Sequence, residues 1–207
     1  MVKTKNPGVS AMRPGIFIEP LNWINADKLP SRDYICGHCG KDISSSHGYT
    51  GSADYAKIYI CHRCNQPTFF YGSKQVPGGL PARSVDHLPT EVEALWTESR
   101  YAYTVQAWTL VIMACRKMLM NISVAKGASE GRGFVDYVDW LDSKGYVPPG
   151  SSTLLAEIKD FGNKANHKII PRQPEEADRF LTFLEMLLVF MFQYSGEVAP
   201  GDHAQNG

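Results

Sequence analysis

Charge of one sign is what this chain lacks first. Its 207 residues carry 21 basic and 21 acidic side chains, a formal net charge of zero, so nothing global draws it to nucleic acid or to a membrane surface. Long apolar runs are missing as well. The most apolar stretch, residues 180–192, is too short to cross a bilayer and has Glu185 in its middle, which reads as a buried helix. Residues 1–10 contain lysines and Asn6-Pro7-Gly8 but no apolar core, which excludes a signal peptide or anchor there; a cytoplasmic location with no membrane partner is the expectation. No internal repeat and no low-complexity tract is present, which excludes a solenoid.

Cysteine is scarce too, at five, but four of the five are concentrated. Cys36-Gly37-His38-Cys39 and Cys61-His62-Arg63-Cys64 are two Cys-x-x-Cys pairs joined by a short, turn-rich segment. Such a turn faces two thiolates toward one ion while its backbone amides point at the sulfurs, and two turns at this separation are the pattern of a tetrahedral zinc site. Cys36, Cys39, Cys61 and Cys64 are therefore the expected ligands of a structural Zn2+. A closed shell of four thiolates leaves no position for a catalytic water. The alternatives are two disulfides, which nothing about the chain's compartment favours, or a histidine (His38, His47 or His62) in place of one cysteine. Cys115 stands alone on an apolar helical face and reads as a small core residue.

At this length the chain supports one good core plus a small accessory module. Composition is ordinary for a globular protein, with 43% hydrophobic and 20% charged residues. The charges are unevenly spread: 10 basic against 6 acidic residues through Asp86, 11 against 15 beyond it. Residues 1–30 hold Pro7, Pro14, Pro20 and Pro30 with the apolar pieces Ile16-Phe17-Ile18 and Leu21-Asn22-Trp23-Ile24, the pattern of an extended arm that packs on something. Tyr34-Ile35, residues 55–60 and residues 68–71 read as strands that enter and leave the cysteine turns, with residues 44–48 and 50–52 as loop. Residues 31–75 are thus expected to form a zinc ribbon, too small to fold without its metal. Proline and glycine mark a linker over 76–89.

Helical periodicity follows. Thr90-Glu91-Val92-Glu93 fits a capping box, and apolar spacing from Leu95 to Ile122 without proline or glycine predicts one helix of about 36 residues, on the order of 50 Å long. After a break at residues 127–133, Phe134, Val138 and Leu141 define one face of a short helix ending near Gly145, with Asp136, Asp139 and Asp142 on its solvated side. A third helix starts after Ser151 or Ser152. A fourth has Pro174 in its first turn beside Glu175, Glu176 and Asp178, and runs to about Tyr194. The expectation is an α+β protein, mainly α: a small N-terminal β zinc ribbon, then an antiparallel helical bundle over 90–196, then a disordered tail over 197–207.

A second constellation lies at the end of the third helix. Lys159, Asn163 and His167 are four apart and share one face of a helix that continues that far. A cation, an amide and an imidazole there could grip a phosphate and move a proton, or the amide and imidazole could simply bond the backbone where the helix ends. Leu88-Pro89, Glu98-Ser99, Ala114-Cys115-Arg116-Lys117-Met118-Leu119 and Phe161-Gly162-Asn163-Lys164-Ala165-Asn166-His167, closed by an apolar helix, together resemble the bacterial and phage family called domain of unknown function 4145. That family is similar to the HEPN class (higher eukaryotes and prokaryotes nucleotide-binding) of helical bundles, which are often dimeric. The class includes metal-independent ribonucleases of toxin and antiphage systems and inactive members that serve as binding modules.

The resemblance implies a HEPN-like fold for residues 90–196, a homodimer, and a phage defence or counter-defence setting. It makes His167 a general acid or base and Asn163 its polar companion. At Gly162 the chain departs from the pattern, because an active ribonuclease carries a phosphate-binding arginine there, and Lys159, one turn further back, is a point charge without the arginine fork. The reading is therefore a non-catalytic, zinc-containing binding module for nucleic acid (RNA or DNA) or a protein. Lys57, Arg63 and Lys74, set among Tyr55, Tyr59, Phe69 and Tyr71, are the candidate nucleic-acid contacts. The alternative is a HEPN-type ribonuclease using His167.

Overall fold

The computed structural model describes residues 22–164 and 171–194; the side chains of 161–164 lie outside that description. It is an α+β fold: a five-stranded antiparallel sheet, then five helices. The strands β1 (Asp27–Ile35), β2 (Asp42–Thr50), β3 (Ala56–Ile60), β4 (Pro67–Tyr71) and β5 (Lys74–Val76) form a meander in chain order.

The strands expected at residues 55–60 and 68–71 are present, with Tyr59, Thr68 and Phe70 facing inward. Leu29, Tyr34 and Ile43 from β1 and β2 complete that small core. The first two strands bend over it: the Arg32 guanidinium lies 3.9 Å from the Phe70 ring centre, and its Nη2 donates to the Gly72 carbonyl at 2.9 Å.

The serine-rich stretch 44–48, expected as loop, is instead the middle of β2. Local propensity is overridden there by what the neighbours supply. Ser45 Oγ donates to the buried Ile60 carbonyl at 2.8 Å, Ser31 and Ser44 hydroxyls meet at 3.0 Å, and Gly48 lets β3 approach so closely that a Cβ would lie 1.8 Å from the Ile58 oxygen.

The single helix expected from Thr90 onward is two helices, α1 (Thr90–Thr104) and α2 (Trp108–Ala125). Between them the Ala107 amide bonds the Ala102 carbonyl and the Gln106 amide bonds the Tyr103 carbonyl, both at 3.0 Å, with Gln106 at φ 63°. This is the Schellman termination, with glutamine where glycine is usual. The capping box at Thr90 does not form. Pro89 holds the cap position, and its carbonyl accepts from the Glu93 amide at 2.9 Å.

Next come α3 (Phe134–Ser143), α4 (Ser152–Lys164) and α5 (Pro174–Leu188), the last continued by a π-helical turn, Val189–Gln193. In α3, Phe134, Val138 and Leu141 are buried while Asp136, Asp139 and Asp142 are on the more exposed side, as the periodicity predicts. Pro174 opens α5, where the Gln173 amide donates to Glu176 Oε2 at 3.0 Å.

The apolar helix α2 lies at the centre of the helical core, against α1, α3 and α5. It is long and apolar enough to cross a membrane by composition, but its Val111, Ile112, Cys115, Met118, Leu119 and Ile122 are buried against Phe180, Phe183, Leu184 and Leu187 of α5 and their neighbours.

Candidate metal centre

Both cysteine turns sit at the same end of the meander, one in the β1–β2 connection and one in the β3–β4 connection. They are built alike. The Cys36 amide bonds the Lys41 carbonyl (3.0 Å) and the Gly40 amide bonds the Cys36 carbonyl (2.9 Å); in the second turn, Cys61 with Gln66 (3.0 Å) and Asn65 with Cys61 (2.8 Å) repeat the pattern. The residue after each second cysteine, Gly40 or Asn65, has a left-handed backbone (φ 67° and 58°), a conformation these two residue types tolerate best.

The four Sγ atoms lie within 4.8 Å of one another. Cys36 Sγ and Cys64 Sγ are 3.7 Å apart, and Cys39 Sγ and Cys61 Sγ 3.9 Å. A disulfide would need about 2.05 Å, whereas the edge of a tetrahedron of thiolates about 2.3 Å from one ion is about 3.8 Å. The donor set thus fits a tetrahedral metal ion.

Electrostatics point the same way. The Cys36 thiol is pulled down to about 5, first by a hydrogen bond from Cys64 and then by the amides of Cys39 and His38, whereas Cys64 is pushed up by that shared hydrogen and Cys39 is pushed up to about 11, first by burial. Crowded sulfurs ionise together only around a cation.

The His38 ring is engaged away from the sulfurs. Its Nε2 meets the Pro67 carbonyl at 3.0 Å, tying the first turn to the strand that leaves the second. His47 and His62 are exposed.

The first turn is also keyed to the helices. Tyr101 Oη donates to the His38 carbonyl at 3.0 Å and the Gly78 amide donates to the Thr104 carbonyl at 2.8 Å, while a Cβ at Gly37 would sit 2.4 Å from the Gly78 oxygen. Residues 77–89 run along α1. Arg100 donates from Nε to Pro81 O and from Nη2 to Ala82 O, both at 2.9 Å; Trp96 Nε1 donates to Arg83 O at 3.0 Å; and Arg83 pairs with Glu185 of α5 at 3.3 Å.

A family model, Domain of unknown function (DUF4145), matches residues 97–200. The chain belongs to that family. Neither curated proteins nor solved structures yield a match. The matched span of this DUF4145 protein begins inside α1 and leaves the cysteine centre outside it.

Within the DUF4145 span, His167 lies outside the described residues, and Asn163 is on α4 with its side chain likewise outside. Lys159 is described and forms an ion pair with Asp139 of α3. Asp136 accepts the Gly133 amide at 3.1 Å, so two of the three α3 carboxylates have structural partners. They border a shallow groove with Arg132, Trp140 and Ser143. Cys115 is wholly buried and its thiol is pushed up by desolvation, which keeps it protonated and inert.

The three candidate nucleic-acid contacts do not form one surface patch. Lys57 pairs across the ladder with Phe70 and is bound to Asp54 at 2.8 Å; Lys74 is exposed opposite Tyr71; Arg63 is exposed in the second cysteine turn. The aromatics divide as well. Tyr59 is buried, its hydroxyl donating to Pro30 O at 3.0 Å, whereas Tyr55, Phe69 and Tyr71 are 56%, 40% and 53% exposed. A row that sequence reading misses joins them: Tyr49, Ile58, Phe69 and Val76 stand opposite one another across β2, β3, β4 and β5. Each apolar residue was visible, but the register that aligns them was not.

Proposed function

We propose that this DUF4145 protein is a non-catalytic binding module in which Zn2+, held by Cys36, Cys39, Cys61 and Cys64, fixes a sheet whose outer face docks a protein partner. The observation that carries this is the outward row through half-buried Ile58 and exposed Phe69 and Val76, flanked by exposed Tyr55 and Tyr71. Aromatic and aliphatic groups predominate there, with Lys74 at the edge opposite Tyr71, the make-up of an apolar interface core with a polar rim. Stacking on single-stranded nucleic acid needs a run of cations beside the rings; of Lys57 and Lys74, Lys74 alone shares this face, while Lys57 is turned to the other side and held by Asp54. Zinc is the reading of four thiolates because it accepts a closed tetrahedral sulfur shell without redox chemistry. Its role here is to hold the two turns. The engagement of Lys159 by Asp139 supports the non-catalytic reading over the HEPN-type ribonuclease.

The test uses purified, metal-loaded protein and its His167→Ala variant with mixed RNA in EDTA, at a dose and time that leave the zinc bound. Intact RNA and no gel shift are expected. Cleavage lost in His167→Ala would establish the ribonuclease, and a salt-sensitive shift lost on replacing Arg63 and Lys74 would establish nucleic-acid binding; either overturns the proposal. The double substitution Phe69→Ser, Val76→Ser is expected to keep zinc and fold and to abolish partner binding. A second copy is a further proposed contact. Leu110 and Met113 on α2 and Val105 before it are 61%, 59% and 65% exposed, and light scattering of Met113→Glu against the parent protein reads the dimer directly.

A further inference from the structure

The four sulfurs of the metal centre are not equally reachable. Cys39 and Cys64 are half-buried, whereas Cys36 and Cys61 are wholly enclosed. Each turn thus offers one sulfur to solvent, the second of its pair, and hides the other.

Close contacts run across the turns. Cys64 Sγ lies 3.7 Å from Cys36 Sγ, and Cys39 Sγ lies 3.9 Å from Cys61 Sγ. A reachable sulfur therefore touches an enclosed one of the opposite turn in both cases. A disulfide is about 2.05 Å long, so each pair closes by less than about 2 Å. Cys36 and Cys64 are 28 positions apart in the chain and Cys39 and Cys61 are 22 apart. Bridges over loops of that size constrain the unfolded chain far more than a bridge within one Cys-x-x-Cys turn, which favours crossed pairing in the folded product.

We propose that the four-cysteine centre is a peroxide-responsive thiol switch. Oxidation joins Cys36 to Cys64 and Cys39 to Cys61, and the two bridges replace the metal as the link between the β1–β2 and β3–β4 connections. Metal release rests on the zinc reading; the crossed pairing does not. In the first step the thiolate of Cys39 or Cys64 attacks hydrogen peroxide, the O–O bond breaks, and a sulfenic acid and hydroxide result. In the second the facing thiolate, Cys61 or Cys36, attacks that sulfur, an S–S bond forms, the S–O bond breaks, and a second hydroxide leaves. Each disulfide costs the sulfurs two electrons, which one peroxide accepts. Two disulfides leave no thiolate for the metal. Four thiolates around Zn2+ carry a formal charge of −2 and two disulfides carry none, so this end of the sheet, with exposed Lys41 and Arg63, becomes more positive by two charges. Cys115, wholly buried in the helical core, stays a thiol.

The experiment titrates the full-length, zinc-loaded protein with hydrogen peroxide and reads released zinc with a colorimetric chelator. One zinc per chain is expected for two peroxides consumed, with one alkylatable thiol, Cys115, left after unfolding. Peptide mapping with fragmentation between Cys36 and Cys39 is expected to find the two crossed bridges, and a dithiol with added zinc to reverse them. Bridges within either turn, Cys36 joined to Cys61, bridges between chains, or sulfinic acid as the main product overturn the proposal, as does full oxidation with the zinc retained. Amide exchange in β2 and β3 supplies a second reading. The oxidised, metal-free protein is expected to exchange at least tenfold more slowly there than reduced protein stripped by a chelator; equal rates overturn the linking role of the bridges. Protein that takes up no zinc before oxidation overturns the zinc reading instead, and the pairing is then read from the same peptides of the metal-free thiols.

Discussion

Gln106 holds a left-handed backbone at φ 63° between α1 and α2, where a side chain costs free energy that glycine does not. Gln106→Gly should therefore stabilise the protein by about 0.5–1 kcal/mol, read as a higher urea midpoint at unchanged slope. A lower midpoint would mean that the Gln106 side chain makes a contact worth more than the strain. The cysteines work at the same scale with larger consequences. Cys61 is fully buried and 3.9 Å from Cys39, so Cys61→Ser removes one of the four thiolates proposed to hold the metal. Metal content should fall from one zinc per chain to near none, with the sheet lost alongside, because a module this small depends on its ion.

At the level of elements, the first cysteine turn and α1 are fastened by the Tyr101 hydroxyl on the His38 carbonyl. Tyr101→Phe deletes that bond and leaves the ring; it should cost about 1 kcal/mol and speed transfer of zinc to a colorimetric chelator. Unchanged transfer would show that the turn holds its geometry without the helix. The Lys159–Asp139 pair joins α3 and α4 on the surface, with the two side chains 28% and 53% exposed. An exposed pair contributes little, so Lys159→Ala should shift stability by less than about 0.5 kcal/mol in denaturant unfolding. These elements differ in how far the chain announces them. Strands β3 and β4 are announced by their β-branched and aromatic residues beside the cysteine turns, and α3 follows from Phe134, Val138 and Leu141. Strand β2 is not announced, because its serines and Gly48 are strand residues only beside Ile60 and Ile58, which accept their hydrogen bonds and close approach.

Taken as a whole, the molecule joins the sheet with its four-cysteine centre to a helical core through residues 77–89, whose carbonyls receive Arg100 and Trp96 and whose Arg83 reaches Glu185. Removing the metal should therefore be felt in the helices. Prolonged chelation is expected to speed amide exchange in the last turn of α1, where the Thr104 carbonyl accepts from Gly78, and to alter Trp96 fluorescence. Helices with unaltered exchange after metal loss would mean that the two parts are energetically independent despite their contacts.

By itself the sequence determined the four-thiolate chemistry, because Cys-x-x-Cys spacing is a local property of a turn, and it determined the amphipathic helices and their solvated carboxylates, because helical periodicity is local too. Tertiary structure alone decided three other things. It divided the expected long helix at Gln106, a residue that carries no termination signal of its own. It made a strand of a polar segment by giving the Ser45 hydroxyl a buried carbonyl partner and Gly48 a close-packed neighbour strand. And it aligned Tyr49, Ile58, Phe69 and Val76 into one face, since the register of a meander is set by pairing between strands that are distant in the chain, and a slip of one residue would have turned those side chains to the other side.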